Sequence, residues 1–290
     1  MLALCSSIAC AQSEVQARLI HVLQAQQTQA TYDVSSQTRL SEVIQALTDV
    51  TSQDWRTARF GSRQLQFRLQ RLKLETQQRL TALQHYAEQE GDEGLALTAK
   101  QLQRQLQNSR FLAAYYLGVP WHGMRLRQAN NPALNDSYGS DEFYLSLYST
   151  ETSKSVELFG ALNSPISRVL QPAGSNNDIK QVVAAHKPQQ AANQGYVWQI
   201  NINGGVVKQP IAYFNQGKLA QCYSHQVHDP LRLGKPTDCS APQQLSGGQR
   251  LYVGIDESQL PQSLQGINER MVRLLKFHVP HEQPLPEWSH

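Results

Sequence analysis

Val156-Glu157-Leu158-Phe159-Gly160 and, far downstream, Leu251-Tyr252-Val253-Gly254 are short apolar runs that each end on glycine. Between them lie a helical pattern over residues 176–186, carrying Ile179, Val182 and Val183, and an extended run over residues 196–202. Short strands around one short helix predict a small α+β domain over residues 151–256. Asn176 or Asn177 is the expected helix cap, and Asn203-Gly204-Gly205 the turn of a hairpin to residues 206–208. Residues 210–214 read as a further strand and residues 218–245 as an irregular excursion. This stretch holds no nucleophile motif, metal box or phosphate loop, so its residues alone name no chemistry.

Upstream, residues 12–150 read as a first domain. Strands over 14–22 and 30–35 precede a helix over 38–47 with Leu40, Val43, Ile44 and Leu47 on one face. Strand, strand, short helix is the start of a β-grasp-like unit, and residues 121–128 and 142–148 supply later strands. Composition changes abruptly at 62–116, which is rich in Gln, Leu and Arg. Leu65, Leu69, Leu72, Thr76, Arg79, Leu83 and Tyr86 follow a 3-4 spacing. Leu95, Ala99, Leu102, Leu106, Ser109, Ala113 and Tyr116 repeat it after Gly91-Asp92-Glu93-Gly94. The pattern predicts an inserted antiparallel helical hairpin, with arms about 35 to 45 Å long at ~1.5 Å per residue. Such a hairpin is expected to project from the body, as a structural spur or a docking arm.

Downstream, residues 257–279 read as an amphipathic helix. Leu264, Ile267, Met271, Leu274 and Leu275 form its apolar stripe, with Gln265, Glu269, Arg270, Arg273 and Lys276 facing away. Packing on its own domain is the commoner fate of such a stripe; contact with a membrane or partner is the alternative. Residues 280–290 read as a disordered tail.

Of the residues, 17% are charged and the net charge is +3. Gln, Asn and Ser therefore give a polar surface without strong charge, which suits carbohydrate or protein contacts and argues against nucleic acid. Residues 1–11 are apolar and small and end in Ala9-Cys10-Ala11, the pattern of a secretory signal cleaved before Gln12, although no basic leader region is present. A lipoprotein reading through Cys10 fits less well, because Ser7 stands where a large aliphatic residue is expected. No other stretch approaches the ~20 apolar residues of a membrane span.

Loss of the signal leaves Cys222 and Cys239, which read as one disulfide. The competing reading is a metal site, since Cys222-x-x-His225-x-x-His228 with Cys239 offers four ligands. The spacing is atypical for zinc and an oxidising compartment favours the bridge. His225, His228 and Asp229 are then solvated loop residues.

In order along the chain, Arg39-Leu40-Ser41-Glu42-Val43, Trp55, Arg125, Asn131-Pro132-x-Leu134, Leu158-Phe159-Gly160 with Pro165, Tyr196-Val197-Trp198 before Gly205, Pro210-Ile211-Ala212-Tyr213-Phe214-Asn215 and Leu251-Tyr252-Val253-Gly254 resemble the GfcC family of capsule and exopolysaccharide biosynthesis proteins. The resemblance implies a periplasmic protein of two β-grasp domains, a helical hairpin inserted in the first and a C-terminal amphipathic helix. That organisation is similar to two domains of the polysaccharide export channel Wza. It implies no enzymatic activity and no cofactor. Arg125 matches a family arginine, and with Trp121, Arg127 and Asn131 it is the expected binding patch for glycan or export machinery, a structural salt bridge being the alternative role for Arg125. The chain departs from the pattern at Trp121-His122-Gly123-Met124, where acidic residues are expected, and in the Cys222 to Cys239 excursion.

A polysaccharide-modifying enzyme is the second reading. It needs two carboxylates facing one cleft, with Asp141, Glu142 and Glu157 as the candidates. A membrane-associated adaptor using the last helix is the third.

Overall fold

A computed structural model describes residues 18–24, 27–47, 58–117, 131, 133–135, 139–147, 155–163, 167–170, 178–215, 217–225, 229–240, 244–258, 260–279 and 285. It is an α+β protein built on two mixed sheets. In the first, β1 (Arg18–Gln24) and β2 (Gln27–Val34) form a hairpin, followed by helix α1 (Leu40–Ala46). β3 (Arg59–Ser62), the two-residue strands β4 (Arg110–Phe111) and β5 (Tyr115–Tyr116), and β6 (Glu142–Leu147) follow. The strand order is β2-β1-β6-β3-β5, with β6 parallel to β1 and every other pair antiparallel. Ile20, Val22, Phe60, Phe143 and Leu145 face Leu40, Val43 and Ile44 of α1 in one core.

The second sheet repeats this winding. β7 (Ser155–Gly160) and β8 (Ser167–Leu170) pair first, then come α4 (Ile179–Ala185), β9 (Tyr196–Ile200) and β10 (Val206–Pro210). β13 (Arg250–Val253) enters parallel to β7 and antiparallel to β9. The order β8-β7-β13-β9-β10 is that of the first sheet, with β11 (Ala220–His225) and β12 (Leu233–Cys239) added beyond β10. Residues 218–245 are therefore largely a β-hairpin rather than an irregular excursion. Cys222 and Cys239 bridge its two strands, closing a loop with a sequence separation of 17. A closure of that size contributes on the order of 3 kcal/mol through loop entropy.

The long helices are α2 (Arg63–Glu90) and α3 (Glu93–Asn108). Ser62 caps the first through Leu65 N, and Gly91, at φ 72°, ends it in the left-handed region. Asp92 caps the second through Leu95 N at 2.9 Å. Their apolar seam does not stand free. Leu65, Leu69, Leu72, Leu80, Leu83, Leu95, Leu102 and Leu106 share one core with the second sheet and with α5 (Ile267–Leu275). The expected projecting arm is thus corrected: the pair of helices is covered along its apolar side. The stripe also passes through Leu80 and Ala87 in place of Arg79 and Tyr86.

The expected second helix stops at Asn108 and residues 109–116 turn extended. Leu112 N donates to Phe277 O at 2.9 Å, and β4 pairs with β14 (His278–Val279). Phe111, Tyr115 and Tyr116 favour extended backbone, and strand pairing outweighs a continued 3-4 pattern. Residues 210–214 form no full strand, since Tyr213–Asn215 is a short 3-10 turn. The last helix is also shorter than expected, because Gly266 at φ 83° separates α5 from a 3-10 turn at Gln262–Leu264.

Four buried amides fasten helices in place, each where backbone groups would otherwise be orphaned. Gln66 of α2 donates to Phe111 O at 3.0 Å and accepts from Ala113 N at 2.9 Å. Gln105 of α3 closes the same two-bond ring with Gly160, at 2.9 and 2.8 Å. Asn268 of α5 accepts from Ile255 N at 2.9 Å and donates to Ile255 O at 2.8 Å. Asn131, outside any strand, fastens α1 differently, accepting from Ser41 N and donating to Ser41 Oγ. Part of the Gln and Asn content read as surface polarity is therefore internal fastening.

Candidate binding surfaces

Trp121, Arg125 and Arg127 lie outside the described residues, as do the expected signal segment, His228 and, apart from Leu285, the expected tail. Asn131 is described, and it is buried at 6% exposure. Its Oδ1 accepts from Ser41 N at 2.9 Å, its Nδ2 donates to Ser41 Oγ at 2.9 Å and its carbonyl accepts from Arg39 Nη1 at 3.1 Å. This corrects its expected role, since the side chain is engaged internally. Arg39 stands at the N-cap of α1, where a side-chain acceptor is preferred. Asn131 supplies that acceptor from 90 residues away. Asn131→Ala is expected to lower unfolding free energy by about 1–3 kcal/mol, because it leaves Ser41 N without its acceptor and Ser41 Oγ without its donor. A urea midpoint unchanged from wild type would contradict that assignment.

The last helix is accounted for in the same way. Leu264, Ile267, Met271, Leu274 and Leu275 are 9, 0, 1, 0 and 1% exposed. They pack in the shared core, so the stripe expected for a membrane or partner is already covered. Two of the charges expected to face away are also used internally. Arg273 Nε donates to Leu231 O at 2.6 Å and Lys276 Nζ to Pro230 O at 3.0 Å. Burial, with the charge of Arg273, brings the Lys276 amine down to about 8. Asp229, expected in solvent, pairs with Arg68 at 2.9 Å and Arg232 at 3.1 Å. The segment before β12 is thus clasped to both α2 and α5.

Between the sheets lies a buried ionic cluster. Arg59, Glu157, Arg250 and His278 are 5, 7, 5 and 3% exposed. Arg250 Nε meets Glu157 Oε2 at 3.2 Å and Arg250 Nη2 donates to His278 O at 3.0 Å. Arg59, from the first sheet, reaches the same carbonyl at 3.5 Å. His278 Nδ1 lies 3.0 Å from Glu157 Oε2, in electrostatic contact but misaligned for a hydrogen bond. The rings of Phe111 and Phe159 pack edge-on against the imidazole.

Burial holds His278 below the ordinary histidine range; Glu157 opposes that shift, while Arg250 and Arg59 reinforce it. The folded chain therefore takes up this proton at lower pH than the unfolded chain does. Its contribution to stability is present above the unfolded value of ~6.5 and is lost as pH falls through the folded one. Between about pH 7 and about pH 5, urea unfolding should show a steeper loss of stability for wild type than for His278→Gln. Parallel slopes would contradict the assignment.

Among the described residues, two of the open surfaces suit a partner. On the turn after β10, Tyr213, Phe214 and Leu219 are 81, 62 and 56% exposed. The two rings meet edge to face, with centroids 5.5 Å apart. Buried Asn215 pins the turn by donating to Gly195 O at 3.0 Å. The second surface is a groove of about 410 Å³ between α3 and the chain leaving β7, lined by Leu97, Lys100, Gln101, Arg104, Gln105, Asn108 and Asn163. Neither was singled out as a site from the sequence. The spacing of Lys100 and Arg104 on one helix face was the available signal for the groove.

The described structure is an α+β protein of two like-wound sheets, whose accessible chemistry is hydrogen bonding, positive charge and aromatic surface. Residues 17–140 match the family model described as capsule biosynthesis GfcC, N-terminal, and over that stretch the chain is similar to the GfcC family. The family is one of capsule biosynthesis. No curated protein matches the chain.

Proposed function

We propose that this chain is a non-catalytic periplasmic accessory protein in capsule or exopolysaccharide assembly or secretion, working by binding the Wza-like export machinery, the glycan or both. The match over residues 17–140 carries this reading, since it takes in α1, both long helices and the strands of the first sheet other than β6. The repeated winding order, with a central parallel pair and a helix after the opening hairpin, supports two β-grasp units with a helical hairpin inserted in the first. The Cys222–Cys239 bridge suits an exported protein.

The carboxylate candidates favour binding over glycoside hydrolysis. Glu157 is buried against Arg250, while Asp141 and Glu142 face Arg18 and Arg63 at 3.8 and 3.1 Å. None of them lines the α3 groove. The exposed Tyr213–Phe214 turn is the surface best suited to a protein partner, because aromatic side chains dominate interface energetics. Trp121, Arg125 and Arg127 complete the proposed contacts. With its apolar stripe covered, the last helix favours an internal role over membrane tethering.

Deletion of the chain should diminish surface capsule, and the tagged protein should fractionate with the periplasm carrying an oxidised Cys222–Cys239 pair. Normal surface capsule in the deletion strain would overturn the proposal. Retention in the cytoplasm with both thiols free would overturn the compartment.

A further inference from the structure

We infer that the groove between α3 and the end of β7 binds an anionic saccharide segment, one bearing carboxylates such as uronic acids; the inference rests on the capsule reading above. Leu97, Lys100, Gln101, Arg104 and Asn108 recur at helical spacing along one side of α3. They span about 16 Å at ~1.5 Å per residue, long enough for a short run of sugar rings.

The groove has an ordered floor and two charges above it. Gln105 is 3% exposed and held by its paired bonds to Gly160. Gln101 donates to Leu162 O and accepts from Gln189 Nε2. These amides are preset rather than ordered on binding, which lowers the entropic cost of association. Gln101, half-buried, has a second N–H and a second lone pair for a hydroxyl, while buried Gln105 holds the floor in place.

Lys100 and Arg104, four residues apart, are exposed and carry no ion pair among the described residues. The carboxylate of Glu88 on α2 lies within the field of Lys100. The guanidinium of Arg104 can take a carboxylate in bidentate fashion, which an ammonium alone cannot do. Amides that both donate and accept, beside cations and with a single exposed aliphatic side chain, fit a hydroxyl-rich anion better than an acidic peptide, whose side chains offer acceptors alone. Charge complementarity at an exposed site also requires that binding weaken with salt.

The test titrates the full chain, disulfide oxidised, with trigalacturonate, maltotriose and hexaglutamate by calorimetry at low ionic strength. Wild type is compared with Lys100→Gln/Arg104→Gln and with Lys218→Gln/Lys235→Gln, which removes equal charge elsewhere on the surface. Trigalacturonate should bind wild type and the control alike, and the groove variant about tenfold or more weakly, with an unchanged thermal midpoint. Maltotriose should bind more weakly than trigalacturonate, and added salt should weaken the latter.

Absence of trigalacturonate binding, equal binding by the groove variant, or hexaglutamate binding as tightly would each overturn the inference. Failure here is separable from failure of the wider proposal. A capsule defect on deletion without trigalacturonate binding removes only this site. Trigalacturonate binding with normal capsule on deletion removes the capsule role.

Discussion

Glu157→Ala should lower the unfolding free energy by about 3–5 kcal/mol, because it leaves buried positive charge without its carboxylate. Arg250, 5% exposed, would keep one bond to His278 O and lose its contact with Glu157, while its Nη1 already has no partner among the described residues. Arg59 enters the same site from the first sheet, so the charge that is left sits between the two sheets. Urea unfolding of Glu157→Ala, Arg250→Met and Glu157→Met/Arg250→Met forms the decisive cycle. The double variant should be markedly more stable than the sum of the single losses implies, since removing both charges also removes their desolvation cost. Additive losses, or a loss below about 1 kcal/mol for Glu157→Ala, would show that the cluster is not coupled.

Gly160→Ala should be at least as damaging and should fail to give a stably folded protein. Gly160 sits at φ 109°, and an added Cβ would lie 2.0 Å from Val253 O and 2.8 Å from Val253 C and N. Those atoms belong to the parallel neighbour strand, so no flexible side chain can move aside. Shifting the backbone would also break the paired bonds to Gln105, and with them the seat of α3. Gly91→Ala is the control: φ is 72° but no atom lies within 4 Å of the added Cβ. It should cost only about 1–2 kcal/mol, the left-handed strain itself. Comparable midpoints for the two variants would show that close approach at Gly160 is not what matters.

Gly160 was legible in the sequence as the end of a strand and as part of a family motif, but the reason for glycine there was not. That reason is a neighbouring backbone supplied by Val253. Arg39 and Asn131 show the same limit. Both stood in quoted motifs, yet only folding brings them within 3.1 Å and turns a proposed ligand contact into the cap of α1. Trp121, Arg125 and Arg127 fall outside the described residues, so their expected role stands as a proposal.

The sequence by itself determined the α+β class, most helices and strands, the Cys222–Cys239 pair and the apolar faces of the long helices. Local periodicity, turn residues and cysteine usage act over short stretches or through composition, so they can be read along the chain. Tertiary structure decided what those faces meet: the expected projecting arm and the apolar stripe of the last helix are two sides of one core, closed over the second sheet. It also decided that Asn108 ends α3, that Pro210 leads into an exposed aromatic turn, and that a groove opens beside Lys100 and Arg104. An amphipathic pattern states how much apolar surface must be covered; which partner covers it follows from competing contacts between residues distant in sequence.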